Sequence, residues 1–161
     1  MHRQILTIKN IHFLLSEKAF SPTWQMGVKG YNWWETELPN NQEVLLNLKA
    51  HNFKIDYILT HTYPKSTVYY MNLPPIRGEL DLTEFLQLIE NQVSHKHWYF
   101  GHFHCEKKIN KMMACLFFNM INLSNKKVIY TYYDTDWFLK TDLFKVCFYL
   151  FLVKDTILTF L

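Results

Sequence analysis

Short apolar runs separated by polar breaks set the layout of this chain. Ile5-Leu-Thr-Ile8 and Ile11-His-Phe-Leu-Leu15 predict two strands broken at Lys9-Asn10. Residues 16–38 show no period, and with Pro22, Gly27, Gly30, Tyr31, Trp33 and Trp34 they read as a structured loop. Pro39, Asn40 and Glu43 then resemble a capping box, and Val44, Leu45 and Leu48 supply the apolar stripe of a helix. His51-Asn-Phe-Lys54 ends it. Ile55-Asp-Tyr-Ile-Leu-Thr60 predicts a strand that delivers His61 at its carboxyl end. Residues 62–80, with Pro64, Pro74-Pro75 and Gly78, read as irregular. Asp81 and Glu84 resemble a second capping box, followed by Leu82, Phe85, Leu86 and Ile89 at helical spacing.

The next strand organises the rest. Trp98-Tyr-Phe100 runs into Gly101-His-Phe-His104. Side chains alternate along extended backbone, so His102 and His104 are expected on one face, with Gly101 as the place for a turn or a close approach. Lys108-Ile-Asn-Lys111 reads as a hairpin turn leading into Met112–Asn122. The order strand, helix, strand, helix, strand predicts an α/β layered domain. Two imidazoles side by side at a strand end suit a metal ion, because neutral imidazole is its commonest protein ligand.

Composition narrows the classes. A chain of 161 residues, 49% of them hydrophobic, can bury a real core and does not have a disordered composition. Net charge is +3, and of 17 basic residues only Arg3 and Arg77 are arginine, so no basic patch argues for nucleic acid. Cys105, Cys115 and Cys147 form no CxxC spacing, and without an export signal they point to a reducing, cytoplasmic setting. Cys105 reads as a packing residue rather than a soft ligand. The run Val146–Val153 holds eight apolar residues, far short of the roughly 20 a membrane helix needs, and reads as a buried helix or strand.

Two strands ending in histidine, Asp56-Tyr-Ile-Leu-Thr-His61-Thr-Tyr-Pro64 and Trp98-Tyr-Phe-Gly-His-Phe-His104, resemble the calcineurin-like metallophosphoesterases. Gly101-His-Phe-His104 matches their GHxH motif, and Leu59-Thr-His61 with Pro64 matches their isolated metal-binding histidine. Asn32-Trp-Trp-Glu-Thr-Glu-Leu-Pro39 looks like the corresponding segment of a bacterial branch, and the likeness covers residues 10–123. The resemblance implies a phosphoesterase working through two divalent ions (manganese, zinc, iron or nickel). It implies that His61 and His102 bind one metal and His104 the other.

The departures carry equal weight. The family's DxH, GDxxD and GNH(D/E) motifs are absent, and no aspartate precedes Asp56. The chain is therefore expected to be the C-terminal portion of a layered αββα metallophosphoesterase-like fold over residues 1–123, with 124–161 as an apolar extension. No catalytic residue is identified. Expected partners are a phosphoester substrate and a chain supplying the missing N-terminal half, with neither membrane nor nucleic acid. The rival expectation is a non-catalytic remnant. An isolated histidine is better read as structural; three at these positions favour ligands. His2, His12 and His51 carry no signal, His95 and His97 read as packing or solvent-facing, and Asp56 reads as a strand-start residue rather than an acid or base.

Overall fold

The computed structural model describes residues 5–16, 41–72, 80–117, 119–123, 125–131, 148–149 and 157–160. The loop expected over 16–38 falls outside them after Ser16, as do Arg3, Arg77, His2, Asn40, Pro74-Pro75, Gly78 and Cys147. The fold is mixed α/β.

Strands β1 (Ile5–Ile8) and β2 (Ile11–Ser16), the two expected, pair with each other as an antiparallel hairpin. Its turn places Lys9 and Asn10 at φ 47° and 63°, the double left-handed geometry that matches the twist of two-residue hairpins. Helix α1 (Asn41–Ala50) buries Val44 and Leu48. It ends in a Schellman motif: Asn52, at φ 53°, donates its N–H to Lys49, and Phe53 donates to the Leu48 carbonyl at 2.8 Å. Strand β3 (Tyr57–Thr60) follows.

The segment after Pro64 is more regular than the sequence suggests. A 3-10 turn (Lys65–Thr67) runs into helix α2 (Val68–Met71), which stops at Asn72 in the left-handed region. Prolines at 64 and 74–75 hide so short a helix from periodicity. Helix α3 (Leu80–Gln92) begins two residues earlier than the capping-box reading, so Asp81 lies inside its first turn, favourably placed toward the helix dipole. It buries Thr83, Phe85, Leu86 and Ile89.

Strand β4 (His97–Phe100) then pairs with β3, and β5 (Lys107–Lys108) makes a hairpin with β6 (Met113–Cys115). Asn110 closes that turn by accepting the Met112 N–H at 2.7 Å. Strands β7 (Asn119–Asn122), β8 (Val128–Thr131), β9 (Phe148–Tyr149) and β10 (Ile157–Phe160) complete the described elements. The stretch Met112–Asn122, into which the expected turn leads, thus holds two strands in two sheets. The first sheet has six strands in the order β1-β2-β3-β4-β6-β5, and the second has four in the order β8-β7-β10-β9.

The centre of the first sheet is parallel: β2 with β3, β3 with β4, β4 with β6. Parallel strands are covered on both faces, which explains why β3 and β4 are buried at every position and are apolar except for Thr60 and His97. Alternation divides their side chains. Leu14, Ile58, Trp98, Phe100, Met113 and Cys115 pack with Val44 and Leu48 of α1 and Phe85, Leu86 and Ile89 of α3. Phe13, Tyr57, Leu59, Tyr99 and Leu116 pack on the other face with Leu123 and Ile121 from the β7 region. Among the described residues no helix is long and apolar enough to cross a membrane.

Candidate metal centre at the carboxyl edge of the sheet

Strands β3 and β4 are adjacent, parallel and in register, with Thr60 opposite Phe100. Their carboxyl ends therefore present His61 and His102 at the same edge, where ligands gather in open α/β sheets. The His61 amide donates to the Ser16 carbonyl at 3.1 Å, which continues the β2–β3 ladder up to the histidine itself. Beneath it, the Trp98 indole N–H donates to the Thr60 hydroxyl at 2.8 Å, and that hydroxyl donates to the Thr62 carbonyl. This buried chain fixes the backbone on both sides of His61.

The loop after β4 departs from the sequence expectation. His102 and His104 are not on extended backbone: their φ angles are 73° and 49°. The Phe103 amide donates to the Gly101 carbonyl at 2.9 Å, so His102 sits at the centre of a γ-turn with positive φ, a rare and strained conformation. Strain of about 1–3 kcal/mol on a non-glycine residue persists only where the surroundings hold it, and such residues cluster at functional sites. Nor does the turn rest on Gly101. A Cβ there would meet only the Leu116 carbonyl at 3.7 Å, an ordinary contact.

The turn swings the His102 ring onto His61. Nε2 of His61 and Nδ1 of His102 lie 2.6 Å apart, with ring centroids at 4.5 Å. One ring donates and the other accepts. Phe103 packs its ring edge against His102 and stacks on Tyr63, walling the pair with aromatic carbon. Burial, reinforced by the nearby His102 and His104, drives the His61 pKa down to about 3. Burial, then His104, also lowers His102. Both imidazoles are neutral at ordinary pH, the form that ligates metals.

His104 takes a different position. It is exposed, its ring stacks on Phe117 at 4.6 Å, and burial lowers its pKa. The structure thus joins His61 to His102 directly and leaves His104 beside them on its own aromatic support. Among the described residues no group of three or more His, Cys, Asp or Glu side chains is arranged to hold a metal ion.

The donor set fits one cation better than two. Two nitrogens bound to a tetrahedral zinc at about 2.0 Å stand about 3.3 Å apart, so the pair would open by about 0.7 Å from its present 2.6 Å. The donating ring would also have to move its proton to its other nitrogen. Carboxylates are the missing part. Asp56 lies at the opposite end of β3, about 16 Å away at the rise of a strand. The Glu106 Oε1 accepts the Phe117 and Asn119 amides at 2.7 and 2.8 Å. The described residues therefore do not fit a dinuclear centre.

Other sequence-singled residues are structural. Asp56 accepts the His12 amide at 2.8 Å and pairs with Lys96 at 2.7 Å, tying together the amino ends of β2, β3 and β4. Burial pushes its carboxyl up, but the Lys96 hydrogen bond, the His12 amide and their charges together hold it below its ordinary value. His97 is buried, with Nδ1 lacking a hydrogen-bond partner, a feature the sequence did not signal. Cys105 is half-buried and packs against the core, as expected.

The sequence matches no protein-family model and no curated protein.

Proposed function

We propose that this chain carries the histidine half of a metal-dependent phosphoesterase site, within a metallophosphoesterase-like fold. One observation supports this most: two neutral histidines from the carboxyl ends of adjacent parallel strands, His61 buried and His102 half-buried, meet at 2.6 Å, the second on a strained turn. The GHxH resemblance makes phosphoester hydrolysis the activity to which such a pair belongs.

His61 and His102 would hold the cation, with His104 as the nearest further imidazole. A divalent ion would polarise a phosphoryl oxygen and acidify a bound water. The chain's own residues hold the two imidazoles neutral, exclude water from one side of them through Phe103 and Tyr63, and anchor His61 through Thr60 and Trp98. Two cations held close together repel each other, and bridging carboxylates offset that repulsion. No such carboxylate lies at the pair among the described residues, so the described residues alone make a poor catalyst, and the family resemblance points to carboxylate ligands supplied from outside them, as by a partner chain. The second reading is a non-catalytic protein. The closed His61–His102 hydrogen bond favours it, because the pair is satisfied without a metal.

The assay is hydrolysis of an activated aryl phosphate monoester and diester by the purified chain with manganese, zinc or nickel. The proposal expects metal to be retained after dialysis but turnover far below about 1 per second. Metal-dependent turnover at that level, lost in His102→Ala, would show that this chain needs no further ligands. A chain that retains no metal supports the non-catalytic reading.

A further inference from the structure

Two thiols meet directly behind the histidine loop. Cys105 closes the loop that begins at Gly101, and Cys115 ends β6. Their sulfurs are 3.8 Å apart, with Cys105 donating to Cys115, while the Cys115 thiol lies 3.7 Å from the Gly101 carbonyl. The two residues differ in access: Cys105 is half-buried and Cys115 is fully buried. The β5–β6 hairpin sets this juxtaposition, since Lys107 pairs with Cys115 and Cys105 lies two residues before it. An accessible thiol backed by a buried one within sulfur contact is the arrangement of a redox pair, and in reducing compartments such pairs are transient or sensing rather than structural.

We infer that Cys105 and Cys115 form a reversible disulfide under peroxide, with Cys105 oxidised first and Cys115 resolving it. Cys105 loses its proton and its sulfur attacks one peroxide oxygen. The O–O bond breaks, the departing hydroxide takes up the proton as water, and Cys105 becomes a sulfenic acid. The Cys115 sulfur then attacks the Cys105 sulfur. The S–S bond forms, the S–O bond breaks, and water leaves with the Cys115 proton. The two thiols give up two electrons, and peroxide is reduced to two waters. Forming the bond requires the sulfurs to approach by about 1.8 Å from their present 3.8 Å. The loop side can supply that movement, because half-buried Cys105 lies between the exposed residues His104 and Glu106 in the loop before β5, whereas Cys115 is held in the sheet. The disulfide would pin the 101–105 loop to β6 and drag His104 with it. This inference stands on the two sulfurs and does not depend on the phosphoesterase reading.

The test uses the full chain with Cys147→Ser, a position outside the described residues, in the presence of chelator. Hydrogen peroxide is added near stoichiometry, free thiols are alkylated, and peptides are mapped by mass. The expected product is an intramolecular Cys105–Cys115 cross-link, missing two hydrogens, that dithiothreitol reverses. In Cys115→Ser the sulfenic acid on Cys105 should persist and be trapped by dimedone. Because a buried serine there threatens folding, Cys105→Ser is the second variant, and it should leave Cys115 unoxidised. Sulfinic acid on Cys105 without a cross-link in the folded chain would overturn the inference. So would a cross-link that appears only after unfolding in urea, or one that joins two chains.

Discussion

Replacing His97 with phenylalanine should remove a specific part of the protein's acid sensitivity. The imidazole is 5% exposed, sits 4.4 Å from the Tyr99 ring, and its Nδ1 has no hydrogen-bond partner. Burial drives its pKa from 6.5 to about 4, helped by the charges of Lys126, His95 and Lys108, against a backbone hydrogen bond at Lys96. Above pH 6.5 the ring is neutral in both folded and unfolded chains, so it contributes no pH dependence. Below 6.5 the unfolded chain takes up the proton and the native one does not, so stability falls as pH falls. The fall stops once the native ring also titrates, near pH 4. At about 1.4 kcal/mol per pH unit, the drop from 6.5 to about 4 costs about 3 kcal/mol. Phenylalanine keeps the ring contact and cannot titrate. Its larger ring and the removal of an unsatisfied nitrogen act in opposite directions, so stability at pH 8 is not diagnostic; the slope is. Urea unfolding from pH 8 to pH 4 should show His97→Phe losing about 3 kcal/mol less than the parent over that range. Parallel curves would refute the reasoning, because they would mean that His97 titrates normally in the folded state.

Three further substitutions test other parts of the fold. Asp56→Asn should cost about 1–2 kcal/mol at pH 7, by weakening the bonds from the His12 amide and Lys96. Because the Asp56 carboxyl is held below 3.8, the difference should shrink as pH falls through its folded value, which denaturant melts at acid pH would show. Thr60→Val leaves the fully buried Trp98 indole N–H unpaired and should destabilise by about 1–3 kcal/mol, read as a lower urea midpoint with an unchanged m value. Gly101→Ala should change stability by less than about 1 kcal/mol, since its Cβ meets only an ordinary contact; a larger loss would mean that the glycine is needed after all.

The two central strands were legible because strands covered on both faces leave a distinct trace, Tyr57–Thr60 and His97–Phe100 being mostly apolar, whereas their parallel pairing is a finding of the structure alone. The Lys9-Asn10 break and the α3 stripe were equally legible, since each follows from a local period or a turn preference. The meeting of His61 and His102 across 41 positions was foreseen through strand ends and the GHxH resemblance rather than from any local pattern. Its geometry was not. Extended alternation was expected for Gly101–His104, whereas the backbone turns left-handed at His102 and His104, a conformation usually assigned to glycine. Helix α2 is a single turn, too short for a period to emerge. The split of 112–122 between two sheets depends on packing partners far along the chain, which no window reports.

The most direct test of the histidine pair is metal retention. The purified chain is loaded with zinc, dialysed, and its metal measured by mass spectrometry, alongside His61→Phe, His102→Phe and His104→Phe, each checked for folding by circular dichroism. The account predicts about one zinc per parent chain, removed by chelator, near-complete loss in His61→Phe and in His102→Phe, and partial loss in His104→Phe. A parent chain that keeps no zinc, or folded His61→Phe and His102→Phe variants that keep as much as the parent, would contradict it.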